Sequence, residues 1–391
     1  MASDASGVNP SVVHVRSLIQ LRDYEIKHEQ INVQKVTMTS HKWVCCCHEN
    51  RKDRRKRFIR GRVTVVNMQG KSPHPRSWPS TAESAAMNPT IPLLALKGGR
   101  HIEIFDLELK KMKYRCTMDS KIAYWTWVNA EVIAIVTNTA VYHWNIAGER
   151  EPSRVFQRNS RLRRCQLIAY KTDKPMRWMA LTGLYKEDTG FVHGLTQLYS
   201  RDYQLSQCID AYAVGFCEYR CNSNPTMSTV VCIATKTPGK QGKIHVLELG
   251  PHISGNSALS NHTDDVSFSQ AIEFKHDFPV SLQISEVYGL VFILTKNGWL
   301  LLCDLDTGSH ISTTKISQHV IFTTSLSSDD KGIVGVCKNG KVLSVKIKES
   351  SLLHHLHHHC KKINVATRLA QKFASTDTAL LTPYTRYDTT V

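Results

Sequence analysis

One phrase recurs seven times along this 391-residue chain. It is a short apolar run, then a turn of small or polar residues, then a second run in which apolar and polar side chains alternate. It reads "KWVCCC…RVTVVNM" from Lys42, "IPLLALKGGRHIEIFDLEL" from Ile91 and "EVIAIVTNTAVYHWNIAG" from Glu131. It returns as "RWMALTGL…GLTQLYSRD" from Arg177, "TVVCIATK…GKIHVLELG" from Thr229, "GLVFILTKNGWLLLCDLDTG" from Gly289 and "KGIVGVCKNGKVLSVKIKE" from Lys331. Self-similarity at roughly 40–60 residues is the mark of a repeat architecture, in which each unit buries its apolar surface only against its neighbours.

Each copy has the features of a β-hairpin. Period-2 alternation, as in "HIEIFDL" and "KVLSVKI", describes a half-buried strand. "KNG" at Lys296 and Lys338 and "NTA" at Asn138 supply turn residues, Asn and Gly tolerating positive φ. A lone hairpin is not stable in water, but a four-stranded sheet packed face to face with its neighbours is. Seven such sheets close into a ring, so the expected fold is all-β, a seven-bladed β-propeller. A pair of stacked β-sandwiches is the competing arrangement.

Helical patterning is nearly absent before residue 349. There "ESSLLHHLHHHCKKINVATRLAQKF" places apolar residues at Leu352, Leu353, Leu356, Ile363, Val365, Leu369 and Phe373. Two short helices are expected, at 350–360 and 364–374, followed by a polar tail. The resulting division is a flexible N-terminus over 1–16, the propeller over 17–347, a helical linker start over 348–376 and a disordered tail over 377–391.

Composition narrows the function classes. The chain is 41% hydrophobic, enough for a sizeable core, and its formal net charge is +17. That charge favours acidic partners, whether peptide, nucleic acid or anionic lipid, without choosing among them. "MASDASGVNPSVVHV" has neither the basic nor the apolar region of a signal peptide, and no run of 18 apolar residues suggests a membrane span. The twelve cysteines are scattered, as buried free thiols of a reducing cytosol would be. Cys45, Cys46 and Cys47 are adjacent, so in a strand they point to opposite faces and do not form one site.

Neither G-x-x-x-x-G-K-[ST] nor G-x-G-x-x-G occurs, and there is no Ser/His/Asp or paired-carboxylate constellation. No enzyme activity and no cofactor are assigned. "HHLHHHC" at His354–Cys360 has His pairs at i, i+4 but no intervening acid, and reads as polar helix surface rather than a metal site. Cys217 and Cys221 have no His at ligand spacing. "RKDRRKRFIRGR" at Arg51–Arg62 carries eight Lys or Arg. It reads as a solvated loop, with anionic-lipid, nucleic-acid and nuclear-import readings beside it; only Phe58 is available for base stacking. The C-terminal "TTV" fits a weak PDZ-ligand pattern.

"SAAMNPTIPLLALKGGRHIEIFDLELK", "YWTWVNAEVIAIVTNTAVYHWNIAGE", "FPVSLQISEVYGLVFILTKNGWLLLCDLDTG" and "GIVGVCKNGKVLSV" closely resemble the N-terminal domain of clathrin heavy chains. The similarity runs from about Ser17 to Phe373, and the long helical leg of that family is not part of it. The resemblance implies a seven-bladed propeller and a helical zigzag, and a head that captures short adaptor motifs at coated pits and vesicles, on the cytoplasmic side. A structural coat subunit that joins triskelia, and a basic propeller on membrane or nucleic acid, are the alternatives.

The resemblance also implies sites. The groove between blades one and two, which takes an apolar motif with an acidic end, falls on Trp78, Leu94, His101, Glu103, Phe105 and Lys110. The family has Arg, Thr and Gln where Trp78, His101 and Glu103 stand. Glu103 is expected to repel an acidic ligand end by about 1 kcal/mol, with Lys111 or Lys113 to offset it. A groove between blades four and five falls on Trp178, Leu198, Tyr203, Leu205, Gln207 and Ile209, Tyr203 replacing an Arg. A top-centre site falls on Val33, Gln166, Ile168 and Leu184, Val33 replacing a Phe. A groove between the last and first blades falls on Ser17 and Gln20, Ser17 replacing a Glu.

Overall fold

The computed structural model describes residues 11–50, 60–69, 73–220, 226–236, 242–250, 261–266 and 276–381. The first strand, β1 (Val13–Gln20), comes before seven runs of strands. Blade one is β2 (Val36–Ser40), β3 (Trp43–Asn50), β4 (Arg60–Asn67) and β5 (His74–Pro79); blade two is β6 (Ser84–Met87), β7 (Leu93–Gly98), β8 (His101–Asp106) and β9 (Lys111–Thr117). Blade three is β10 (Tyr124–Trp127), β11 (Val132–Val136), β12 (Ala140–Asn145) and β13 (Ser153–Gln157). Blade four is β14 (Gln166–Thr172), β15 (Trp178–Lys186), β16 (Val192–Ser200) and β17 (Leu205–Ile209). Blade five is β18 (Ala213–Tyr219), β19 (Ser228–Lys236), β20 (Gly242–Gly250) and β21 (Asn261–Val266); blade six is β22 (Pro279–Ser285), β23 (Leu290–Thr295), β24 (Trp299–Asp304) and β25 (His310–Lys315). Blade seven is β26 (Ile321–Leu326), β27 (Gly332–Cys337) and β28 (Lys341–Ile347), completed by β1. All pairings are antiparallel. Every repeat phrase is the middle pair of one sheet.

The first strands of neighbouring blades meet, Trp127 of β10 donating to the Ala86 carbonyl of β6, and β2 also contacts β26, so the ring closes on itself. β1 pairs with β28 from Val13–Ile347 to Gln20–Lys341. The last sheet is thus completed by the start of the chain, and the strand begins at Val13 rather than after residue 16. Val12 and Val13 are buried, which anchors it.

The buried apolar side chains form seven clusters, one between each pair of neighbouring sheets. Strand alternation decides which cluster a residue joins. On β3, Val44 and Cys46 join the cluster with blade seven, whereas Trp43, Cys45 and Cys47 join the cluster with blade two. The three cysteines therefore divide between two interfaces. Burial pushes the Cys45 and Cys47 thiols up to about 12.

Turn chemistry is partly as expected. Gly298 and Gly340, ending the two "KNG" turns, have φ of 82° and 90°. Asn138 is not in the positive-φ set. Its turn is organised by Thr137, whose hydroxyl accepts from the N–H groups of Thr139 (3.3 Å) and Ala140 (3.1 Å).

After blade seven come α1 (Glu349–His354), a π-helical turn (His355–His359) and α2 (Ile363–Leu381). α2 outruns the expected 364–374 and enters the segment expected to be a disordered tail. Leu352, Leu356, Val365, Leu369 and Phe373 bury into the cluster of blades six and seven. The Arg368 guanidinium pairs with Asp304, which is buried, and with Asp306, whose side chain is 3% exposed, tying α2 to blade six.

Candidate functional site

The hairpin turn between β7 and β8 is made by Gly99, at φ 58°. From it β8 alternates. Ile102 and Ile104 are fully buried against blade three, leaving His101, Glu103 and Phe105, all half-buried, on the face towards blade one. Cross-strand pairing extends this face: Leu94 lies beside Phe105 and Phe105 beside Met112, while Leu96 lies beside Glu103 and Glu103 beside Arg115. Opposite, Trp78 on β5 pairs with Val63 and packs with Leu96 and Leu107 on the cluster between blades one and two. Leu94 is buried within that cluster as a floor. The structure thus gathers Trp78, Leu94, His101, Glu103 and Phe105 along one inter-blade trough.

The trough's charged end follows from a local turn. Asp106 Oδ1 accepts from the N–H groups of Glu108 (3.0 Å) and Leu109 (2.9 Å), and its Oδ2 lies 2.9 Å from Lys113 Nζ. The Leu109 N–H first, then Lys113, holds this carboxyl below its usual range. The turn leaves Lys110 exposed at φ 52°, with no ion-pair partner among the described residues. Lys113, expected to offset Glu103, is engaged by Asp106 instead. Glu103 is partnered by Arg115, Nη1 to Oε1 at 3.6 Å.

Three trough residues escape the sequence reading: Met112, 48% exposed, Arg115, and Arg76, exposed on the Trp78 face of β5. The register shift between Ile104 and Phe105 conceals which β9 residues share that face.

On blade four, Trp178, Leu198, Leu205, Gln207 and Ile209 share one face through the pairs Ala180–Leu198, Leu198–Gln207 and Ser200–Leu205. Leu198 and Ile209 pack on the cluster with blade five. Towards the rim, Leu205 is 68% and Tyr203 72% exposed, and the Trp178 and Tyr203 rings lie 6.5 Å apart.

The first strands of all seven sheets line a central cavity of about 1150 Å³. Val33, Gln166 and Ile168 line it; Leu184 is set back on β15 as the cross-strand partner of Gln166. Ser17 and Gln20 pair with Leu343 and Lys341, alternate residues of β28, and so project from the same face of the sheet. The Leu343 side chain packs towards blade six, and the Gln20 side-chain oxygen lies against Gly340, near Ile31. The bulge between Ser17 and Ile19 brings them into this register, since residues three apart in a regular strand point to opposite faces.

Among the described residues no group of three or more His, Cys, Asp or Glu is placed to hold a metal. The His354 and His358 rings lie 4.4 Å apart and tilted on the helical surface. Cys217 is buried between blades five and six. Cys221, residues 51–59 of the basic run and the terminal "TTV" lie outside the described residues. Among the described residues no helix is long and apolar enough to cross a membrane.

No family model matches the chain. Among curated proteins, human clathrin heavy chain 2 is 35% identical over 358 residues, 92% of this chain and 21% of that protein. The clathrin heavy chain of Drosophila melanogaster is 31% identical over 361 residues, again 92% of this chain and 21% of that protein. This chain is a homologue of clathrin heavy chains. Its extent is consistent with an N-terminal clathrin domain, and it spans about a fifth of the length of the curated clathrin relatives it matches. A solved structure titled "Crystal Structure of Mitotic Checkpoint Complex" contains a chain similar to this one at TM-score 0.55 and 13% identity, covering 89% of this chain and 97% of that one. That likeness concerns the fold alone.

Proposed function

We propose that this chain is the motif-binding head of a clathrin-type vesicle coat component, without catalytic activity, acting on the cytoplasmic face of coated pits and vesicles. Its ligands are short extended segments of adaptor and accessory proteins, laid between blades with apolar side chains inward and an acidic end outward. The observation that carries this reading is Lys110, exposed and without an ion-pair partner among the described residues, at the end of a trough floored by Leu94 and Phe105 and walled by Trp78. Extended peptides suit such a place because alternate side chains enter slots while the carboxylate meets a cation.

Arg76 and Arg115 make this trough more basic than the sequence suggests. The groove between blades four and five offers an aromatic pair, Trp178 and Tyr203, and favours apolar segments with less need of an acidic end.

The test is a fluorescence titration with a peptide of the form L-φ-x-φ-[DE], φ being an apolar residue. The wild-type chain binds it, and Lys110→Glu weakens binding about tenfold, which is about 1.4 kcal/mol. No binding by either protein, or equal binding by both, overturns the reading.

A further inference from the structure

The central cavity is electrically lopsided. At the end where the first strands begin, its lining includes Lys97, Lys121, Arg158 and Arg163 against one acid, Glu83; at the other end Glu286 and Asp330 stand against Lys171. Lys97 is spent on Glu83. Lys121 and Arg163 are exposed, and neither has an ion-pair partner among the described residues.

Arg158 is the telling group. It follows β13 and is only 5% exposed, yet no carboxylate among the described residues accompanies it. Its guanidinium donates to the carbonyls of Thr137 (3.0 Å) and Leu162 (2.6 Å), and its Nε is buried without a partner. A buried guanidinium in neutral surroundings is costly unless something compensates its charge. Its neighbours place the other cations close by. Thr137, whose carbonyl Arg158 meets, sits where β11 turns into β12; Lys121 lies just before β10, beside that same end through the Ala123–Val136 hydrogen bond (2.8 Å). Arg163 lies in the 3₁₀ turn Ser160–Arg164, capped by Asn159, and near enough to depress Arg158 electrostatically.

We infer that this mouth of the central cavity is a binding site for a phosphate-bearing multivalent anion, held by Arg158, Arg163 and Lys121. Guanidinium groups meet phosphate oxygens in pairs of parallel hydrogen bonds, and three clustered cations, of which only Lys121 lies in the field of an acid, Glu83, favour a ligand carrying more than one negative charge. The cavity has room for it, and Asn138 and Gln166 on its lining offer neutral hydrogen bonds. The phosphate comes either from a soluble polyphosphate ester or from a phosphorylated lipid headgroup. The site shares Gln166 with the top-centre place the resemblance implies but no residue with the two inter-blade grooves, so failure of either reading leaves the other standing.

The experiment is calorimetric titration with sodium tripolyphosphate and inositol hexakisphosphate, beside sedimentation with neutral vesicles holding about 5% phosphatidylinositol bisphosphate. Three proteins are compared: the wild type, Lys121→Glu/Arg163→Glu, and Arg16→Glu/Arg22→Glu, a control with the same charge change at exposed positions far along the chain. Both pairs lie on the surface, so folding is retained, and circular dichroism verifies it. The expected result is one soluble-anion site, weakened at least tenfold in Lys121→Glu/Arg163→Glu and within twofold of wild type in the control. Binding confined to the vesicles, with the same dependence on Lys121 and Arg163, supports the site and assigns the lipid source. Absence of binding in every arm, or equal weakening in both variants, overturns it.

Discussion

Glu103 shows how one neighbour changes the meaning of a residue. Alone, a carboxylate in the trough would oppose an acid-ended peptide. Arg115 neutralises it at 3.6 Å, both side chains being partly exposed, and such pairs contribute about 0–1 kcal/mol. Glu103→Gln therefore frees Arg115 for the ligand. A two- to fivefold gain in affinity for the acid-ended peptide is expected, and unchanged or weaker binding in the same titration contradicts it. His143 makes a second prediction. Its Nε2 lies 2.7 Å from Tyr170 Oη in the interior, and burial, with Arg201 adding to it, lowers its pKa to about 4. The folded value lies below the ordinary 6.5, so between pH 6.5 and 4 the unfolded chain binds the proton more readily. Stability contributed by neutral His143 is complete above pH 6.5 and falls as pH drops, by about 1.4 kcal/mol per unit from this group. Urea unfolding across pH 7.5–5 measures the slope. His143→Gln, which keeps a hydrogen-bond partner for Tyr170, is expected to reduce it.

At the scale of elements, all seven hairpins were legible because their side chains alternate and their ends carry turn residues. The outer strands were not. β5 (HPRSWP) and β9 (KMKYRCT) are largely exposed, so burial imposes little pattern on them, and with β9 went Met112 and Arg115. β1 hid for another reason: its partner β28 stands more than 300 positions along the chain, and no local signal reveals such a pairing. The chain after blade seven was read as two helices, but the grip of α2 on blade six was invisible, since Arg368 meets Asp304 and Asp306 across 64 and 62 positions. Asp304 is fully buried. Arg368→Ala strands its charge, and removal of one partner from a buried pair costs about 3–5 kcal/mol. Urea denaturation is expected to register that loss, with faster proteolysis inside 363–381; a change below 1 kcal/mol contradicts the role given to the pair.

For the whole molecule, the repeat implied a closed ring and the structure supplies its closure: seven clusters between seven sheets, with β1 of the first residues completing the last sheet. Closure fixes each gap between blades, so the rims of those gaps keep their shape without a ligand. Of the four places the resemblance implied, two become continuous apolar faces, between blades one and two and between four and five. The cavity keeps Val33, Gln166 and Ile168 but not Leu184, and the bulge in β1 sets Ser17 and Gln20 on one face. Sequence position told which residues stood where; which of them faced one gap depended on register, and a one-residue shift turns a side chain to the other face. The decisive measurement is a crystal structure of this chain with an L-φ-x-φ-[DE] peptide. The account predicts an extended peptide between blades one and two, apolar side chains against Leu94, Phe105 and Trp78, and its carboxylate within 4 Å of Lys110 Nζ, an ion-pair distance. A peptide seated elsewhere, with that trough empty, would contradict it.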